Sequence, residues 1–285
     1  ILIIGIISVQ LIAMIMQFTF DKSGYHIDEI WQYTLSNADE GYGVINDGVI
    51  NDGNKKMNEW VSGSYFNGAL TVQPDEAFHF KNVWYNAAHD TKGPLGYVPL
   101  HLIGSFFQNQ YSTWQMFSLN LISFFVMMIF VCHIVLLLTK NRFLAMLVTT
   151  FFGFTTAAFA MTLFLRMYIF EAMLLVIYTY IILRFMQQEK WIPSVIGVGI
   201  MVCLGGLTDY LFLSYAFFVT VSEMLYLLFQ KKKKKLMALA ASSFAGVLAM
   251  IAIFPAAIAQ MTDANGISRV WGTPLKFSFQ FRMMF

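Results

Sequence analysis

Charge is what this sequence has least of. Only 12% of its 285 residues are Asp, Glu, Lys or Arg, where a soluble domain carries about a quarter. That deficit excludes a fold surrounded by water. Cysteine is almost absent as well. Cys132 and Cys203 both lie within apolar runs, at a spacing that fits neither a disulfide framework nor a metal cluster. They read as small buried hydrophobes. A net charge of +2 leaves no basic footprint for nucleic acid. The apolar runs do not alternate with polar residues, which excludes a transmembrane β-barrel. Residues 1–20 have no basic n-region and no small-residue cleavage site, so they read as a first membrane helix, not a signal peptide.

What the sequence has in abundance is long apolar runs. Mean hydropathy is +0.62. Seven stretches are candidates to cross about 30 Å of hydrocarbon: 1–20, 114–138, 143–160, 167–186, 191–207, 210–229 and 236–258. The expected fold is an all-α polytopic membrane protein. Lys140 and Arg142, Arg184 and Lys190, and Lys231 to Lys235 cluster at three short turns. Together they supply nine of the 18 Lys and Arg residues. The opposite short turns carry only Arg166. Short basic turns stay inside, so residues 21–113 and 259–285 are expected outside the cytoplasm.

The loop 21–113 holds 11 of the 16 Asp and Glu residues and is too long for a passive connector. Residues 26–38 and 76–89 are expected as amphipathic helices on the membrane surface, with Trp31, Tyr33, Trp84 and Tyr85 at headgroup depth. Residues 95–107, beside Pro94 and Pro99, read as a short interfacial or re-entrant helix. The repeat VINDGVINDGN at 44–54 reads as a turn-rich surface loop.

Four polar places fall at the same expected membrane face. They are His26-Ile27-Asp28-Glu29, His89 to Leu95 with Asp90 and Lys92, Arg166-Met167-Tyr168, and Thr208-Asp209-Tyr210. Ionisable groups beside hydrocarbon are costly and mark functional positions. Each also has a plain structural reading: Asp28, Glu29 and Asp209 as helix caps, Lys92 as a snorkelling side chain, and Arg166 as an interfacial anchor. Glu171 and Glu223 fall inside spans, where an internal hydrogen bond or cavity contact is expected.

An acidic pair after the first span, then DTKGPLGYVPLHL, LFLRMYIFEAMLL and LGGLTDYLFL, resembles the GT-C glycosyltransferase superfamily. The likeness is to bacterial members of the protein O-mannosyltransferase and aminoarabinose-transferase type, and covers about residues 1 to 230. It implies a seven-helix membrane module continuing beyond Phe285. It also implies transfer of a sugar from a polyprenyl-phosphate-type carrier to a lipid, glycan or protein acceptor at the extracytoplasmic face of a bacterial plasma membrane. Asp28 then matches the catalytic carboxylate and Glu29 its companion. Lys92 matches a lysine that contacts the carrier phosphate, and Arg166 and Tyr168 an R-x-Y motif facing the same site. Gly93 stands where the K-P-P-L-like motif of that lysine often has proline, and Asp209 where some members have His or Lys. His26, His89, Asp90 and Asp209 complete the expected substrate-binding set. A divalent ion held by His26, Asp28 and His89 is an open alternative. So are a lipid-linked saccharide flippase or transporter and a polysaccharide polymerase.

Overall fold

The computed structural model describes residues 2–39, 41 and 63–262, and the 44–54 repeat lies outside them. Among these residues there is no strand. Along the chain come α1 (Leu2–Phe20), α2 (Ile27–Asn37), α3 (Gly63–Leu70), α4 (Phe80–His89), α5 (Val98–Phe106), α6 (Thr113–Thr139) and α7 (Arg142–Gly153). There follow α8 (Thr156–Leu163), α9 (Tyr168–Gln187), α10 (Ile192–Gly206), α11 (Tyr210–Phe229), α12 (Lys233–Ile253) and α13 (Ala256–Thr262). Five of these helices (α1, α6, α9, α11 and α12) are long and apolar enough to cross a membrane, and α7 with α8 would make a sixth as one bent span. The chain is an all-α polytopic membrane protein.

In α1 the buried side chains are Ile7, Gln10, Met14 and Phe18. Their three- and four-residue spacing makes one narrow stripe. Leu2, Ile4, Val9, Ile12, Met16 and Phe20 remain exposed on the other faces, as a lipid-facing helix requires. The stripe packs onto α6 and α8, where Phe117, Phe124 and Ala158 complete a first core. A second core joins α9, α10, α11 and α12 through Tyr178, Phe185, Val198, Phe212 and Leu239.

Two expected spans differ from the structure. The span expected at 143–160 is a bent pair, with 57° between α7 and α8. Gln10 Nε2 donates to the carbonyls of Thr149 (3.2 Å) and Thr150 (3.1 Å) just before the bend. An amide from a neighbouring helix can tolerate a break at membrane depth because it satisfies backbone groups there. The span expected at 191–207 is realised as the 15-residue α10, which at 1.5 Å per residue reaches only about 22 Å. It packs very closely against α12. A Cβ on Gly246 would collide with the carbonyl oxygen of Gly199 and lie 2.9 Å from Val202 Cβ. Small residues at such a crossing let two backbones approach. Gly246→Leu should therefore force the two helices apart and cost about 1–3 kcal/mol. A lowered midpoint in a detergent thermal-unfolding series would register it, and an unchanged midpoint would contradict the packing.

The described parts of the long loop, 21–39 and 63–113, fold into a cap over one end of the bundle. The helices expected on the membrane surface are α2 and α4, but α2 is the interior of the cap. Glu29, Gln32, Tyr33, Thr34, Leu35, Ser36 and Asn37 are all buried. Tyr33 is not at headgroup depth: it is fully buried, and its hydroxyl donates to Ser112 O at 2.9 Å. The polar side chains of α2 and its neighbours are spent on backbone partners. Asn37 donates to Leu70 O (2.8 Å), Gln32 to Gly96 O (2.9 Å) and Asn86 to Ala38 O (2.8 Å). α4 begins at 80, not 76, because Phe78 takes a left-handed conformation (φ 60°) that no helix continues through. The interfacial segment is a 3₁₀ turn (Pro94–Gly96) followed by α5.

Candidate functional site

Each polar motif owes its place to a local break in helical structure. Asp28 and Glu29 occupy the first turn of α2 because His26 caps it. His26 Nδ1 accepts from the Asp28 backbone N–H (3.2 Å), and Glu29 Oε2 accepts from the His26 N–H (2.9 Å), a reciprocal capping box. Asp209 caps α11, its Oδ1 accepting from Leu211 N at 3.0 Å. Arg166 lies in the link between α8 and α9. Asn120 on α6 holds that link by donating to Thr162 O (3.0 Å) and Phe164 O (2.8 Å). Lys92 precedes the 3₁₀ turn, beside Gly93. A Cβ on Gly93 would strike the carbonyl of Leu207, and Leu95 N donates to that same carbonyl at 2.9 Å. The turn therefore sits directly against the end of α10, and a ring or side chain at 93 would push it away.

These breaks bring residues of all four motifs together. Arg166 Nη1 lies 3.2 Å from Asp28 Oδ1. Lys92 Nζ lies 2.5 Å from Asp209 Oδ2. Both pairs adjoin the Tyr168 ring, with Lys92 Nζ 4.7 Å and Arg166 Cζ 5.8 Å from its centroid. A cation over a ring face is held by the ring's quadrupole, so one tyrosine organises both cations. Arg166 is only 8% exposed, whereas Asp28 is 38% exposed. The carboxylate faces outward and the guanidinium is held behind it. Arg166 Nε is buried with no hydrogen-bond partner, an unsatisfied donor that is costly to keep.

The other expected residues do different work. Glu29 is 2% exposed. Its Oε1 accepts from Lys22 Nζ at 2.6 Å and from Leu165 N at 2.8 Å. With both oxygens engaged, Glu29 ties α2 to the Arg166 link. Asp90 joins through a relay: the buried Tyr97 hydroxyl donates to Asp90 Oδ2 at 2.6 Å. Burial, then the Asp90 carboxylate, push that hydroxyl well above the usual phenol range, so it remains a neutral donor. His89 packs on the Tyr85 ring, with Nδ1 2.8 Å from Tyr85 O. His26 Nδ1 is occupied in the cap. The metal set His26, Asp28 and His89 is not assembled: among the described residues no three His, Cys, Asp or Glu side chains are grouped to hold an ion.

Several residues of the site were not anticipated. Glu171 is buried one turn after Tyr168, within electrostatic reach of Asp209 and Lys92. The three-residue spacing from Tyr168 was the available signal, since it puts both on one face of α9. Asn120 was visible as an amide inside an apolar span. Gln260 on α13 had no signal. Its Nε2 donates to Ala87 O (2.7 Å) and Asp90 O (2.6 Å), while Tyr210 Oη donates to its Oε1. It fastens the end of α4 to α11. Two small clefts flank Lys22 at the cap end of α1. One of about 240 Å³ is lined by Gln17, Leu163 and Phe164, and one of about 210 Å³ by Phe18, Tyr25 and Trp114.

No family model, curated protein or solved structure matches the chain.

Proposed function

We propose that the chain is a membrane glycosyltransferase of the GT-C type. It would move a sugar from a polyprenyl-phosphate-type lipid carrier to a lipid, glycan or protein acceptor at the extracytoplasmic face. The observation that carries this reading is the partly exposed Asp28 carboxylate backed by buried Arg166, with Lys92 against the same Tyr168 ring. Sugar transfer from a phosphate needs that combination. A carboxylate takes the proton of the attacking hydroxyl. Fixed cations stabilise the charge that develops on the departing phosphate. As the acceptor oxygen bonds to the anomeric carbon, the bond from that carbon to the phosphate oxygen breaks. The bonding pair leaves with the phosphate, and the proton passes to Asp28. The cleft beside the Arg166 link has an apolar side formed by Ala160, Leu163 and Phe164, against which the start of the carrier's tail would lie, and a polar side formed by Gln17, Asp21 and Lys22.

A flippase or transporter would place its ionisable groups near the bilayer midplane. Here the paired charges gather at the cap end. Incubating the protein in nanodiscs with labelled polyprenyl-phosphate sugars tests the reading. Label appearing on an acceptor supports it. Movement of intact lipid between leaflets without transfer would replace it with a flippase. Growth of a lipid-linked polymer would narrow it to a polymerase.

A further inference from the structure

A large cleft lies at the opposite end of the bundle from Asp28. It is about 710 Å³, in the range of small-molecule sites, and opens between the end of α9 and the start of α10. Tyr180, Ile181 and Arg184 line it from α9, Lys190 from the turn, and Pro193 and Gly197 from α10. Gln188 and Ser194 add polar groups to the aliphatic surface of Ile181 and Pro193, and two cations, Arg184 and Lys190, stand at the α9 end. The Arg184 guanidinium rests on the Tyr180 ring, 5.7 Å from the centroid. The ring's quadrupole attracts the cation, and a guanidinium offers several N–H groups to a bidentate acceptor. Among the described residues neither Arg184 nor Lys190 is in an ion pair. Glu189 also lines the mouth, but it faces two cations, with a third beside them. Lys235 Nζ donates to Phe185 O and Gln188 O, both at 3.0 Å, and so anchors the C-terminal turn of α9 that forms the rim.

We infer that this cleft binds an anionic phospholipid. Its phosphate would sit between Arg184 and Lys190, and the upper part of one acyl chain along Ile181, Pro193 and Gly197. Three features favour a lipid over a soluble phosphate compound. The cleft lies between two apolar helices, α9 and α10, part of its lining is aliphatic (Ile181, Pro193), and its cations lie at the end of the membrane-spanning α9. Basic groups at such a level draw anionic headgroups. The inference is independent of the sugar-transfer reading, because no residue of the cleft belongs to the cap-end site.

The test is native mass spectrometry of the full chain, purified in detergent and exchanged with equimolar phosphatidylglycerol and phosphatidylcholine. Wild type should retain phosphatidylglycerol preferentially. The double variant Arg184→Gln/Lys190→Gln should weaken that retention about 30-fold. Gly197→Leu should weaken it with both cations in place, because a Cβ there already approaches Ile181 Cγ2 at 3.3 Å and a larger side chain fills the groove. Lys233→Gln/Lys234→Gln removes two exposed charges from the same end and should leave retention intact. An equal loss in that control would reduce the effect to general attraction and overturn the site. So would equal retention of both lipids by wild type. Displacement by free glycerol phosphate as effective as displacement by lysophosphatidylglycerol would overturn the lipid assignment. Thermal unfolding of each variant separates loss of the site from loss of the fold, and Gly197→Leu keeps the question open to refutation should the double variant unfold.

Discussion

Asp28→Asn is expected to lower sugar transfer at least ~10²-fold, the lower range for losing general base catalysis. The amide keeps the size of the side chain and an oxygen for Arg166, but it cannot accept a proton at neutral pH. Asp28 is 38% exposed and does not cap its own helix. The fold should therefore be untouched, and donor lipid should still bind. The informative contrast is Glu29→Gln. Glu29 accepts from Lys22, His26 N and Leu165 N. An amide there turns an NH₂ toward one of those donors, so the variant should lose thermal stability first, with activity falling in proportion to folded protein. Activity and melting profiles of the two variants distinguish the roles. Near-normal transfer in Asp28→Asn alongside a stable but inactive Glu29→Gln would hand the proton to Glu29. Full activity in both variants and in the double variant would remove this carboxylate pair from the chemistry.

Arg166→Ala should lower transfer ~10²- to 10³-fold, the range seen when a fixed donor to developing negative charge is removed. Arg166→Lys should remain impaired although the charge is kept. Arg166 spends one arm on Asp28 at 3.2 Å, and its planar fork can present other N–H groups to a phosphate at the same time. A lysine ammonium is a point charge on a flexible stem and cannot hold both in one geometry. Lys92→Ala should weaken donor binding and also unpair Asp209, which is 8% exposed. Asp209→Asn with Lys92→Ala in a double-mutant cycle separates that structural cost from the loss at the phosphate. The measurements are donor affinity and turnover in nanodiscs. Losses should follow the carrier headgroup and be the same for different sugars. Unchanged donor affinity and turnover in both alanine variants would leave Lys92 and Arg166 as interfacial anchors, and the resemblance would not extend to these positions.

The spans were legible because hydrocarbon imposes a length and bars uncompensated charge, and both conditions act residue by residue along the chain. Hence α1, α6, α9, α11 and α12 fall where the apolar runs lie. The bend between α7 and α8 was not legible. Thr155 caps α8 locally, its Oγ1 accepting from Ala158 N at 3.2 Å. But the amide that meets the carbonyls of Thr149 and Thr150 comes from Gln10, some 140 residues away, and no local pattern encodes a partner at that distance. Tyr33 was misplaced for a related reason. An aromatic with a polar tip suits a membrane interface and a buried hydrogen bond equally well, and only the packing of α2 against its neighbours selects the second.

At the cap end the division is similar. Composition, charge asymmetry and motif order determined by themselves that this is a helical membrane chain whose acidic residues gather in one long loop, with Asp28, Lys92, Arg166 and Asp209 as its conspicuous polar residues. Which of them meet was decided only by tertiary structure. Asp28 and Glu29 are adjacent and chemically alike, so sequence assigns both to one task. The capping box turns Glu29 inward onto Lys22 and Leu165 and leaves Asp28 outside against Arg166. One helical step rotates a side chain by about 100°. That rotation, resolved against a core assembled from distant segments, makes one carboxylate a pin of the fold and leaves the other open to a hydroxyl.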